Sequence, residues 1–293
     1  MQALRSFLFA PGNHPRKVEK VFSAGADAVI LDLEDAVAAT EKVATREVVV
    51  AALQRSRNCL GYIRVNALDT GLTFGDLETV VATGVDGIVL PKVEHPSDLA
   101  KVDWVLDAFE RKAGLEPGRI DLMPILETGL GLANAREICR SASRVRRVSF
   151  GAGDFTRDMG MDWTLSEHEC MAARAEIALA SRIAGLEPPL DTVWIHLNDT
   201  AGLRTSAQCV KEMGYQGKLC IHPAQIDTVH DVFTPNPDEV AQAKAIVAAF
   251  DAAEAEGSAS IQLDGYFIDY PIVEKARRQL ALAEAANAKK ESE

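Results

Sequence analysis

The sequence predicts an α/β protein: a closed parallel (β/α)8 barrel over residues 1–223, then a C-terminal helical extension over 224–293. Three observations carry this reading. Eight short apolar runs cross the first three quarters of the chain. They begin about 22 to 44 residues apart, and the intervals, several with helical periodicity, each have room for one helix and two loops. Nearly every run turns polar only at its downstream end, as barrel strands do at their carboxyl-terminal mouth. An open, doubly wound sheet usually has fewer strands and a Gly-rich first turn. Here that turn reads Pro11-Gly12-Asn13-His14, which is not the fingerprint.

In chain order, the strand at Ser6–Pro11 leads into a helical segment at His14–Gly25. Ala28–Asp35 is followed by Glu41–Gln54, and Gly61–Asn66 comes next. Gly87–Val93 precedes Leu99–Lys112, and Asp121–Glu127 precedes Asn134–Ser143. Arg147–Asp154 leads to a long helix at Ser166–Ala184. There Met171, Ala175, Ala178 and Ile183 recur at helical spacing among Arg174, Glu176 and Arg182. Asp191–Leu197 and Gly217–Pro223 complete the strands. Gly25, Gly84 and Gly185 suit left-handed helix ends. Beyond Pro223 the pattern changes to an alanine-rich helix at Glu239–Glu256 and an extended stretch, Ser260–Tyr270, around Asp264-Gly265. A last helix at Ile272–Ala288 runs into a charged tail. This extension is too small for a comfortable independent domain and is expected to pack on the barrel or on a neighbouring subunit.

Composition narrows the function classes. A net charge of −12 leaves no basic excess for nucleic acid, so an anionic substrate needs a local basic cluster. No apolar run approaches a membrane span, and no signal-type apolar core follows Arg5. The five cysteines show no CxxC spacing, which suits reduced, space-filling thiols in a cytoplasmic protein. No Gly-x-Ser-x-Gly elbow is present.

The strand ends carry the chemistry. Glu127 and Asp154 close consecutive strands and would share one rim within reach of one cation. Two carboxylates with open positions are a favoured setting for Mg2+; each alone could equally be a turn or cap residue. Asp32, Glu34 and Asp35 crowd one apolar strand, which is costly unless they are paired, hydrated or near a cation. They could order metal-bound water, or pair with Lys42 or Arg46 on an outer helix. Arg64 on its apolar strand needs a carboxylate or oxyanion to face, and Lys92 is a weaker case of the same kind. The small residues Gly151-Ala152-Gly153 let a ligand approach the backbone before Asp154. His196 and His222 could be bases or structural residues.

Taken together, Arg5-Ser6-x-Leu8-x-x-Pro11-Gly12, Leu31-Asp32-Leu33-Glu34-Asp35-Ala36-Val37 and Arg64-Val65-Asn66 resemble the citrate lyase β-subunit-like family. So do Leu90-Pro91-Lys92-Val93, Pro124-Ile125-Leu126-Glu127-Thr128 and Phe150-Gly151-Ala152-Gly153-Asp154. Gly217-Lys218-x-x-Ile221-His222-Pro223-x-Gln225 and Asp264-Gly265-x-x-Ile268-Asp269 complete the series. The resemblance implies a TIM barrel and Mg2+-dependent, reversible carbon–carbon cleavage of a 3-hydroxyacyl-CoA into an acyl-CoA and a 2-oxo acid. It implies Mg2+ on Glu127 and Asp154, with Arg64 facing the enolate and Glu34 and Asp35 ordering metal-bound water. Asp269 is implied as the acid–base, delivered to a neighbour's site in a trimer or dimer of trimers. Arg5, Arg64, Lys92 and Gly153 are the expected substrate-binding set. Malyl-CoA hydrolysis, or action on an acyl-carrier-protein thioester as a citrate lyase β subunit, are the alternatives.

Overall fold

Strand β1 (Ser6–Pro11) pairs in parallel with β2 (Ala28–Asp32) on one side and with β8 (Gly217–Cys220) on the other. Between them run β3 (Leu60–Arg64), β4 (Gly87–Leu90), β5 (Asp121–Leu126), β6 (Ser149–Phe150) and β7 (Leu190–Asp191). All eight pair in sequence order into a closed parallel barrel, the predicted (β/α)8 class. This is seen in a computed structural model that describes residues 3–82, 84–141 and 144–292.

The strands are shorter than the apolar runs that mark them. β2 stops at Asp32, whose carboxylate accepts the amides of Glu34 and Ala36, each at 3.0 Å, and folds the chain into a turn. β7 retains two residues because Trp194 closes a loop instead, its indole N–H donating to the Asp199 carbonyl at 3.1 Å. His196 is therefore an exposed loop residue rather than a strand end. The helix expected at Asn134–Ser143 is two short helices, Gly129–Ala133 and Ala135–Ile138, capped by the Thr128 hydroxyl; positions 142 and 143 lie outside the described residues. Helix Met171–Ile183 ends at Gly185 (φ 74°), with amides 185 and 186 bonded back to carbonyls 182 and 181. That Schellman pattern needs the left-handed conformation glycine supplies.

Inside the barrel, Phe7, Ile30, Tyr62, Val89, Met123 and Ile125 interdigitate as a packed core rather than lining a pore. Cys139, Cys170 and Cys220 are buried, and burial pushes their thiols up to about 12, as space-filling residues require.

The chain divides into two compact units, with a boundary within the helix Ile226–Phe233: one is Leu4–Val229, and the other joins Ala3 to the chain from His230 onward. The second unit has its own small core of Phe250, Ile268 and Val273. Helices Pro237–Ala255 and Tyr270–Ser292 flank a hairpin of β9 (Ile261–Leu263) and β10 (Tyr266–Ile268). Asp264 (φ 49°) and Gly265 (φ 84°) form its tight turn, which explains the Asp-Gly pair. No helix among the described residues is long and apolar enough to cross a membrane.

Candidate active site

Parallel pairing sets Asp32 directly beside Arg64 at the carboxyl-terminal ends of β2 and β3. Their side chains meet in a two-point bond, Nε to Oδ1 and Nη2 to Oδ2, both 2.7 Å. Burial alone would raise the Asp32 carboxyl; the Arg64 charge and the two turn amides hold it below the usual carboxylate range. Arg64 also lies 4.9 Å over the Phe9 ring, and its Nη1 is 2.9 Å from Glu34 Oε2. A guanidinium has five N–H donors and Asp32 takes two, so donors remain for a substrate oxygen.

Glu34 and Lys92 form the next layer. Glu34 is 3 % exposed, and its Oε1 accepts the Lys92 ammonium. Its Oε2 is buried with no aligned hydrogen bond, despite the nearby Arg64. Burial raises its proton affinity, and neighbouring Asp35 adds to the rise. Asp35 itself is exposed, 3.7 Å from the Lys92 ammonium. Burial works against the Lys92 charge, but Glu34, Asp35 and Asp154 outweigh it and keep the amine protonated above its ordinary range. Lys92 has φ 52°, a left-handed backbone rare outside glycine and asparagine. Its amide donates to Glu127 Oε1 at 2.8 Å.

Glu127 directly follows β5 and is 3 % exposed. Burial first, then the charge of Asp154, pushes its carboxyl up to about 8; Glu34 adds to this and Arg64 opposes it. Gly151 makes the cradle, since a Cβ there would collide with the Glu127 side chain. Asp154 lies in the first turn of helix Ala152–Asp158, half-buried, with the exposed Arg157 at 2.5 Å.

The arrangement fits a divalent cation. Asp32, Glu34, Glu127 and Asp154 crowd around Arg64 and Lys92, leaving negative charge uncompensated. Among the described residues no group of three or more His, Cys, Asp or Glu is placed to hold a metal. Glu127 and Asp154, which feel each other's charge, are the residues that could hold a cation between them, with positions open for water and substrate oxygens, the pattern that suits Mg2+.

The barrel unit brings together Glu34, Asp35, Arg64, Lys92, Glu127 and Asp154. Arg5 is not among them. It precedes β1 and so sits at the opposite, amino-terminal mouth, where Asp27 takes its Nε and Nη2, each at 2.9 Å. A buried arginine already held at two points there has a scaffolding role, which corrects the expectation that it binds substrate. Gly153 is exposed one residue before Asp154, facing the Trp163 ring. His222 caps the turn Pro223–Gln225 through Nδ1. Asp269 belongs to the second unit, half-buried at the start of helix Tyr270–Ser292, where its carbonyl accepts two amides. Of the outer-helix partners expected for the β2 acids, Arg46 pairs with Asp76 instead. Lys42 binds the Leu33 and Glu34 carbonyls and Asn66 Oδ1, holding the loop rather than its carboxylates. The Gly151 cradle and the Asn66 anchor were readable only as neighbours of Asp154 and Arg64 in the sequence.

A cavity of about 280 Å3 opens beside this rim, between β1, helix Pro15–Val21 and the end of β8. Leu8, Phe9 and Val21 form its apolar wall, Lys17, Lys20 and His222 its polar edge. Phe9 is shared with the Arg64 site.

The chain is similar to several known proteins along almost its whole length. The family model for HpcH/HpaI aldolase/citrate lyase matches residues 5–223. The citrate lyase subunit beta of Escherichia coli strain K12 is 36% identical over 289 residues, 98% of this chain and 95% of the relative. The mitochondrial citramalyl-CoA lyase of Homo sapiens is 31% identical, over 95% of this chain and 85% of the relative. The (3S)-malyl-CoA thioesterase of Cereibacter sphaeroides strain KD131 is 34% identical, over 96% and 95%. Among solved structures, the CitE protein of Mycobacterium tuberculosis with magnesium, acetoacetate and coenzyme A superposes with a TM-score of 0.80. It is 27% identical and covers 96% of this chain and 98% of that one.

Proposed function

The chain belongs to the HpcH/HpaI aldolase/citrate lyase family, and from that premise we propose that it cleaves a 3-hydroxyacyl-CoA of the malyl or citramalyl type. The products are an acyl-CoA and a 2-oxo acid, and the reaction is reversible. The single observation that carries this reading is the pairing of surplus carboxylate at Glu127 and Asp154 with the spare donors of Arg64.

Mg2+ held by Glu127 and Asp154 would supply Lewis-acid polarisation of the hydroxy-acid oxygens. The chain's own residues do the rest. As the hydroxyl proton passes to the water that Glu34 and Asp35 orient at the rim, the carbon–carbon bond breaks and its electron pair passes into the thioester as an enolate. Arg64, locked by Asp32 and stacked on Phe9, offers its free N–H groups to that developing charge without reorganising. Asp269, supplied by the C-terminal unit of a neighbouring copy in a homotrimer, protonates the enolate carbon. Glu34 and Asp35 orient water at the rim. An imine mechanism through Lys92 is disfavoured, because the acids around its amine keep it protonated and non-nucleophilic. The cavity beside Phe9 suits the thioester arm, apolar along its walls with lysines to meet phosphate.

The test offers the purified full-length protein malyl-, methylmalyl- and citramalyl-CoA with Mg2+ and follows 2-oxo acid and free thiol separately. Release of 2-oxo acid that chelator abolishes supports the lyase. Thiol release without net acyl-CoA supports the second reading, hydrolysis, which the thioesterase relative brings forward. Equal turnover in excess chelator overturns both.

A further inference from the structure

The geometry points to Lys92 as a positioning residue whose left-handed main chain, not its charge, orients the cation-binding carboxylate. This inference rests on the reading of Glu127 as a metal ligand. Lys92 is one of three non-glycine residues with positive φ among the described residues, and the only one at this rim. It follows Pro91, which itself donates no main-chain hydrogen bond. With φ 52°, the Lys92 amide reaches Glu127 Oε1 at 2.8 Å. The opposite oxygen, Oε2, is confined by Gly151, where a Cβ would strike it. One oxygen is thus bonded to the main chain and the other seated against Gly151, so the carboxylate is held in a fixed orientation.

The side chain does something separable. Its ammonium grips Glu34 Oε1 and so holds Glu34 against Arg64. A lysine is a poor occupant of left-handed space, so the conformation is retained at a cost that local packing must offset. Strain of this kind at a cluster of acids is what a function of the backbone at that position would leave behind.

The experiment is a series at one position, measured by Mn2+ and Mg2+ binding to the full-length protein without substrate. Lys92→Gly, Lys92→Asn, Lys92→Ala and Lys92→Val all lose the same charge, so electrostatics cancels among them. They differ in tolerance of positive φ, with Gly and Asn best and the β-branched Val worst. The expected result is an affinity order of Gly, Asn, Ala, Val, with Val about tenfold or more weaker than Gly. Circular dichroism melts keep folding defects apart from binding. Asn should rescue metal binding that Val loses, while kcat stays low in both because Glu34 is released. A flat series, with Glu127→Gln still abolishing binding, overturns the inference and leaves the metal site standing. Binding that survives Glu127→Gln overturns the metal site itself, and this inference with it.

Discussion

Two charge networks in the barrel unit use the same residue types and reach opposite balances. On the outer wall, Asp191 of β7 lies between Lys218 of β8 and Arg174 of helix Met171–Ile183. Glu167 completes the set, bonded to Arg174 at 2.9 Å and to the Ser206 hydroxyl at 2.6 Å. Two cations meet two carboxylates, and all four are buried. Burial would raise the Asp191 carboxyl, yet Lys218 and Arg174 hold it below the usual range. At the carboxyl-terminal rim the acids outnumber the cations, and Glu127 is pushed up to about 8. A matched network fastens strands to helices. An unmatched one is held at some cost in stability, which added positive charge would relieve.

The largest expected effect breaks the matched network. Asp191→Ala leaves Lys218 and Arg174 buried without their shared partner, an expected loss of about 3–5 kcal/mol of stability. Thermal melting of the variant checks this. A melt within a degree or two of the parent would mean the wall network is not structural.

The rim should respond in the opposite sense. Below about pH 8 the Glu127 carboxyl is held mostly neutral, and Gln is its close isostere, so the metal-free Glu127→Gln protein should melt no lower than the parent in the presence of chelator. Turnover with Mg2+ should nevertheless fall by at least about 100-fold. If this variant loses stability as Asp191→Ala does, the contrast between the regions collapses.

The same contrast has a pH signature. The Glu127 carboxyl is raised in the folded protein, so its contribution to stability is fullest below about pH 4.5, the ordinary value. That contribution is lost as pH rises through about 8, where the group must ionise beside Asp154. A cation binds the ionised form, so Mg2+ affinity should rise about tenfold per pH unit below 8 and level off above it. Calorimetry in buffers of different ionisation enthalpy should register about one proton released per ion bound at pH 7. Affinity that is flat between pH 6 and 8 would detach Glu127 from the cation.

Much of this was legible in the residues, and the gaps have physical causes. Eight Val-, Ile- and Leu-rich runs announce eight strands because a parallel sheet is buried on both faces. The runs overestimate strand length, since apolar packing continues after the ladder has ended, as at Leu33 beyond β2 and Trp194 beyond β7. The acids and Lys92 stood out by charge in apolar context. That Asp32 faces Arg64 needed the strand register, which charge alone does not give. Arg5 was misplaced because a motif gives sequence position without saying which mouth of the barrel it occupies. Its place before the first strand already pointed to the amino-terminal end. The positive φ at Lys92 was invisible, because lysine carries no left-handed preference to betray it.

The smallest expected effect sharpens the comparison at its finest grain. Phe9 faces the Arg64 guanidinium with its ring, and leucine at that position keeps the apolar volume while removing the quadrupole. Arg64 would keep both bonds to Asp32, so the cost is bounded at about 0.5–1 kcal/mol, or roughly a two- to fivefold fall in kcat. Among the described residues no aromatic ring caps Arg174, whose place is set by carboxylates on two sides. Phe9 also borders the cavity beside the rim, which gives the measurement a second axis. If the ring acts by bracing Arg64, kcat falls and KM holds. If it acts as a wall for the thioester arm, KM rises and kcat holds, and the cation over the ring would then be incidental to the chemistry.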